Sequence, residues 1–182
     1  TLLALLRNRL NSEGAIRAAV VPEKAAEAIK FQDYFEHQES LASTASHRML
    51  AMLRGREQGF LTLKVDLPEV WEAESPRTPH PFESEIARLH GIARDDSPRG
   101  KFLSETCRWT WKIKLASTLE SEVMGTLREA AQAEAISVFG KNLKDLLLAA
   151  PAGGKATMGL DPGIRTGVKV AVIDKTGQVV DI

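Results

Sequence analysis

Residues 158–182 read MGLDPGIRTGVKVAVIDKTGQVVDI, and their spacing decides how the chain divides. Apolar and polar residues alternate here with the period of two that belongs to strands. The pattern predicts strands at 156–161, 168–174 and 178–182. Gly177 supplies the positive φ of a short hairpin loop between the last two. An antiparallel meander results. The preceding stretch PAGGKAT, from Pro151, has the composition of a linker, and before it the dominant period is that of helices.

Asp161 stands at the tip of the first of these strands, against a turn bounded by Gly163 and Gly167. Three readings fit a carboxylate there. In the first it shapes a turn, accepting backbone N–H groups while Pro162 presets φ. In the second it is the first-strand carboxylate of a metal-dependent nuclease, which needs several carboxylates around divalent ions. In the third the hairpin binds phosphate as in actin- and Hsp70-type ATPases, although Pro162 and Arg165 occupy a turn those proteins make from small residues. If Asp161 opposes Val168, Asp174 lies on the same face but about 20 Å away, and Asp181 faces the other side. The meander by itself therefore cannot assemble a two-ion site, and a slip of one residue leaves that conclusion standing.

Upstream, Leu2, Leu6 and Leu10 form one helical stripe that Ser12 and Gly14 interrupt. Pro22 suits the first turn of a helix running to Tyr34, and a polar loop is expected after it. Ser46 can cap HRMLAMLR, with Gly55 as its left-handed end. In FLTLKVD, Leu61, Leu63 and Val65 alternate with polar neighbours, the mark of a strand with one wet face. An exposed connection is expected near 67–81, where Pro76, Pro79 and Pro81 break both periods. Phe82, Ile86 and Leu89 then predict a helix ending near Gly91. A long helix follows, with Trp109, Ile113, Ala116, Leu119, Val123, Leu127 and Ala130 on its apolar stripe and Val138, Leu143 and Leu147 extending it. On that phase Trp109 is buried, and Trp111, about 200° away, is the exposed one.

Composition bounds the function. The 182 residues are 43% hydrophobic, enough for a globular core, and 24 Lys and Arg balance 24 Asp and Glu, so any basic site must be local. An acidic excess lies in the middle of the chain. A single cysteine, Cys107, excludes an intrachain disulfide, and together with four scattered histidines it offers no structural-zinc spacing. No metal ligand is assigned, Cys107 is read as a structural thiol, and a cytoplasmic location is expected. The opening TLLALLRNRL is too short and too charged for a membrane anchor. The chain begins with Thr1 and stops at Ile182 inside a strand-like run, so it is expected to be a piece of a longer protein.

Arg48, Arg54 and Arg56 surround one short helix, with Lys64 nearby, and could neutralise phosphates as a local patch. A solvated helix face, with arginines favouring the helix dipole, is the plain alternative. Trp109 and Trp111 stand among Arg108, Lys112 and Lys114, an arrangement that fits base stacking but fits core packing better.

Taken together, FQDYFEHQESL, SHRMLAMLRGREQG, CRWTWKIKL, FGKNLKDLLLAAPAG and MGLDPGIRTGVKVAVID resemble the Tex family of bacterial transcription accessory proteins over nearly the whole chain. That core is also similar to eukaryotic elongation factors. The resemblance implies an α+β chain: a mainly α scaffold over 1–152, then at 153–182 the first strands of a YqgF-type, RNase H-like α/β domain. In the family, helix-hairpin-helix elements and an OB-fold RNA-binding domain follow. The implied function is non-catalytic nucleic-acid binding and scaffolding, and the alternative is part of an RNase H-like structure-specific nuclease. RNA and DNA are the expected partners through the full-length protein, with the transcription machinery a further candidate and no membrane. The nucleic-acid-binding candidates are Arg48, Arg54, Arg56, Lys64 and Arg165. Asp161, placed where RNase H-like nucleases and Holliday-junction resolvases have their first carboxylate, is the sole catalytic candidate. No cofactor is expected, and Mg²⁺ is a candidate for the full-length protein alone.

Overall fold

The computed structural model describes every residue except 74–77, 94, 152 and 164–166. It is an α+β chain, 58% helical with two small antiparallel sheets. Two compact units divide it, Thr1–Val138 and Phe139–Ile182.

The first unit opens with helix α1 (Leu2–Glu13), which buries Leu6 and Leu10, the predicted stripe. A three-stranded sheet follows in the order β2-β1-β3, built from β1 (Ala15–Val20), β2 (Glu36–Ser40) and β3 (Leu61–Asp66). Ile16 and Ala18 of β1, with Leu61 and Val65 of β3, form its buried face. On the opposite face Arg17 sits between Gln38 and Lys64. β3 is the strand expected from its alternation. β2 is not the polar loop expected at that place. Its backbone pairs with β1 along the whole strand, and ladder bonds hold a short edge strand whose side chains are all polar.

The helix expected over Pro22–Tyr34 is instead two 3₁₀ segments, Pro22–Lys24 and Ile29–Tyr34, the second kinked at Phe31. Helix α2 (Ser46–Glu57) starts one residue earlier than the cap reading requires: Ala45 is its N-cap, and the Ser46 hydroxyl donates to Glu134. Gly55 does not end this helix. It lies buried inside it, where a Cβ would come within 2.5 Å of Leu61 Cδ1, so close packing of α2 on β3 requires glycine. The left-handed residue is Gly59, at φ 70°.

Of the connection expected near 67–81, residues 74–77 lie outside the described residues, and its first part is helical. Leu67 is fully buried, and Pro68–Glu72 forms helix α3, with Pro68 in the first turn where proline is tolerated. Helix α4 (Pro81–Leu89) buries Phe82 and Ile86, as its spacing predicts, although Leu89 is exposed. Helix α5 (Pro98–Trp109) runs through a π turn (Thr110–Leu115) into helix α6 (Ala116–Leu147).

That π turn overturns the assignment of the tryptophans. Each π turn takes one more residue than an α turn, so an apolar stripe extrapolated backward at 3.6 residues emerges out of phase. The buried line is Cys107, Trp111, Leu119, Val123 and Ala131, and Trp111 is 6% exposed against 51% for Trp109. Trp109 instead lies under the ammonium of Lys114, 5.1 Å from the ring centre. Val138, Leu143 and Leu147 continue the helix but are exposed.

In the second unit, β4 (Thr157–Gly163), β5 (Gly167–Ile173) and β6 (Val179–Asp181) form the antiparallel meander in the order β4-β5-β6. Gly177 has φ 86° in the hairpin loop, as expected. The register differs by one residue from the assumed pairing: Asp161 opposes Lys169 and Pro162 opposes Val168. Since Lys169 shares the face of Asp161, Asp174, five residues on, belongs to the opposite face rather than the same one. A one-residue slip exchanges the faces of a whole strand.

Candidate nucleic-acid interface

The expected patch on α2 divides into parts with different employment. Arg48 is held within the protein. His37 and Glu39 of β2 point to the buried side of the sheet, and Arg48 reaches back to them from α2. Its Nη2 donates to Glu39 Oε2 at 2.7 Å and its Nε to the same oxygen at 3.1 Å. His37 Nε2 lies 3.2 Å from Glu39 Oε1 but lacks hydrogen-bond geometry. Burial alone would raise the Glu39 pKa, but the hydrogen bonds from Arg48, the nearby His37 and the charges of both outweigh it, so the carboxyl titrates below its ordinary range.

Arg48→Gln is therefore expected to act on stability. It leaves a largely buried carboxylate short of its strongest donor, at a cost of about 1–3 kcal/mol. The wild-type contribution is complete above the unfolded glutamate pKa and is lost as pH falls through the lowered folded value. Urea unfolding at neutral pH and again near pH 3 checks this: the gap between wild type and variant should close in acid.

Arg54 and Arg56 both lie exposed in the last turn of α2. Two residues apart on a helix, they diverge by about 200° and form no common patch. Arg56 lines a cleft of about 390 Å³ with Leu63 of β3 and with Glu120, Ser121, Met124, Gly125 and Arg128 of α6. Lys64 lines the next cleft, of about 360 Å³, together with Trp71, Asp66 and Glu120. Arg165 lies outside the described residues.

Arg128, Arg17 and Trp71 belong to this surface and were not singled out in the sequence. Arg128 stands alone in its helix, Arg17 reads as one charge in an apolar strand, and Trp71 falls in the proline-rich stretch. Across the sheet Arg17 lies opposite Lys64, with its guanidinium 6.0 Å from the Trp71 ring centre. The carboxylates nearby are committed in part. Glu120 Oε1 accepts from Val65 N at 3.3 Å, and Asp66 Oδ1 accepts from Leu67 N and meets His80 Nε2 at 2.9 Å.

Asp161 is exposed, with Oδ2 3.8 Å from Lys169 Nζ. Asp174 accepts from Thr176 N, Thr176 Oγ1 and Gln178 N. The hydrogen bonds from Thr176, side chain first, hold its carboxyl below the ordinary aspartate range. It is the turn residue of this hairpin. Among the described residues no three His, Cys, Asp or Glu side chains converge to hold a metal.

The sequence that builds these units has known relatives. Residues 1–139 match the family model of the Tex central region, and residues 155–182 match that of the Tex protein YqgF-like domain. The chain belongs to the Tex family. It is 53% identical to Protein tex of Bordetella pertussis and 44% identical to the transcriptional accessory protein Tex of Neisseria gonorrhoeae, each over 99% of this chain and 23% of the relative. It is 30% identical, over 82% of its length, to the human S1 RNA-binding domain-containing protein 1, spanning 15% of that protein. The chain thus spans about a quarter or less of the relatives it matches. Among the described residues no helix is long and apolar enough to cross a membrane.

Proposed function

We propose that this chain is a non-catalytic nucleic-acid-binding and scaffolding segment of a Tex-family transcription accessory protein, with the scaffold giving way to the YqgF-like domain near residue 153. The observation that carries the non-catalytic part is the neighbour of Asp161, which is the Lys169 ammonium rather than a second carboxylate. A cation there competes with a divalent ion for the same oxygen. Binding is supported by arginines and a lysine with no carboxylate partner among the described residues, Arg54, Arg56, Lys64 and Arg128, and by a relative named for RNA binding. RNA and DNA are the proposed partners, with the transcription machinery behind them, and the cytoplasm is the proposed location.

A second reading, part of a metal-dependent RNase H-like nuclease, draws on the position of Asp161 on the first strand of the YqgF-like region. There Mg²⁺ would need carboxylates from elsewhere in the full-length protein. The two separate in one assay of the full-length protein on single- and double-stranded RNA and DNA, with and without Mg²⁺. Binding without Mg²⁺ and intact substrate with it is the expected result, and Mg²⁺-dependent cleavage would favour the nuclease.

A further inference from the structure

Helix α6 runs along the free edge of β3, and Val65 N–H, turned away from β1, donates to Glu120 on that helix. Amides on a strand alternate in direction, so the Leu63 N–H points to the same edge. The two clefts described above meet at Glu120 and Leu63, which line both. They form one groove between β3 and α6. At its one end Arg56 and Arg128 line it together with Leu63 and Ser121. Gly125 adds no side chain to fill that end, and a Cβ there would meet nothing within 4 Å. At the other end stand Lys64 and Trp71, with Arg17 beside the ring.

Cations without an ion pair also stand elsewhere among the described residues, at Arg54, Lys141 and Lys144, but here three of them line one groove. Arg7, Arg9, Arg48, Arg88 and Arg108 are each in an ion pair with a carboxylate, whereas Arg56, Arg128 and Lys64 are in none among the described residues. Glu120 and Asp66 oppose them, but each has an oxygen held by a backbone amide. Glu120 and Arg128 are eight residues apart on α6, about 12 Å along its axis, a length that accommodates successive phosphates of an extended strand.

We propose that this groove seats a single strand of nucleic acid, with one phosphate between Arg56 and Arg128 and a base against Trp71, the next phosphate near Lys64 and Arg17. Singly charged phosphates at regular spacing suit separated guanidinium groups, and an aromatic ring accepts any base. The site rests on the nucleic-acid-binding reading above and assigns it a location in this chain.

The test is fluorescence anisotropy of the 182-residue chain with labelled oligo(U) and oligo(dT) of about 12 nucleotides, within the usual single-strand site sizes, at low salt. Arg56→Gln/Arg128→Gln is compared with Lys141→Gln/Lys144→Gln, which removes the same charge from exposed positions of α6. Circular dichroism checks that each remains folded. The expected result is a loss of about tenfold or more in the arginine pair, with the salt slope flattened by about 0.7 for each phosphate no longer neutralised. Trp71→Leu should weaken binding at every salt concentration while leaving that slope unchanged. Equal losses in the arginine and lysine pairs, or none in either, would overturn the groove while leaving binding in place. No binding by the wild-type chain at low salt would defeat both the groove and the reading beneath it. Binding of labelled polyglutamate that is lost in the arginine pair, with no affinity for either oligonucleotide, would assign the groove to an acidic peptide and overturn the proposal.

Discussion

Replacing Trp111 with alanine is expected to lower stability by about 3–5 kcal/mol, while Trp109→Ala costs less than about 1 kcal/mol. Trp111 lies edge-on to Phe82, with ring centres 4.7 Å apart, and tilted against His80 at 4.5 Å. It is buried where α4 packs against the π turn, and its removal opens a cavity there. At Trp109 the substitution removes the cation–π pairing with Lys114 and little more. Urea midpoints for the two variants decide between the observed phase and an uninterrupted α-helix, for which the order of the two costs would be reversed.

The second large effect is expected at His80. Its Nδ1 accepts from Phe82 N at 3.1 Å, making it the N-cap of α4, so its Nε2 carries the proton given to Asp66. One ring thus caps α4, ties it to the end of β3 and covers Trp111. His80→Ala removes a cap worth about 1 kcal/mol, aromatic contacts worth about 0.5–1.5 kcal/mol and a donor to Asp66, for a total of about 2–4 kcal/mol. His80→Asn supplies a side-chain acceptor for the cap without the ring. It should recover about 1 kcal/mol and no more, as read by thermal or urea unfolding. Recovery of full stability by asparagine would show that the ring contacts contribute nothing.

These two sites mark where the sequence was legible and where it was not. The stripe of α1, the alternation of β3 and the meander were legible because side chains at a regular period face one environment. The π turn was hidden because it changes the period without any glycine or proline to announce it. Trp109 then occupied the position that an unbroken helix would bury. β2 was hidden for another reason: its stability comes from backbone pairing to β1, and its inward residues, His37 and Glu39, are polar because Arg48 covers them.

The same distinction holds for the candidate site. Arg56 and Lys64 were visible as local basic residues, but Arg48 is committed to a carboxylate that is remote on the sequence pattern and near in space. Arg128 reaches the groove because α6 lies along β3, and Trp71 because α3 follows directly on β3. Tertiary contact, rather than local composition, separates a binding arginine from a structural one.

The proposal that Asp161, on a YqgF-like strand, holds no metal is tested most directly by Asp161→Asn in the full-length protein. Asparagine keeps an acceptor in place and removes the charge a divalent ion needs. The measurement is nucleic-acid binding and Mg²⁺-dependent cleavage, wild type beside variant. The account predicts equal affinity for both and no cleavage by either. Cleavage by the wild-type protein that disappears in Asp161→Asn, with the fold and affinity retained, would contradict it.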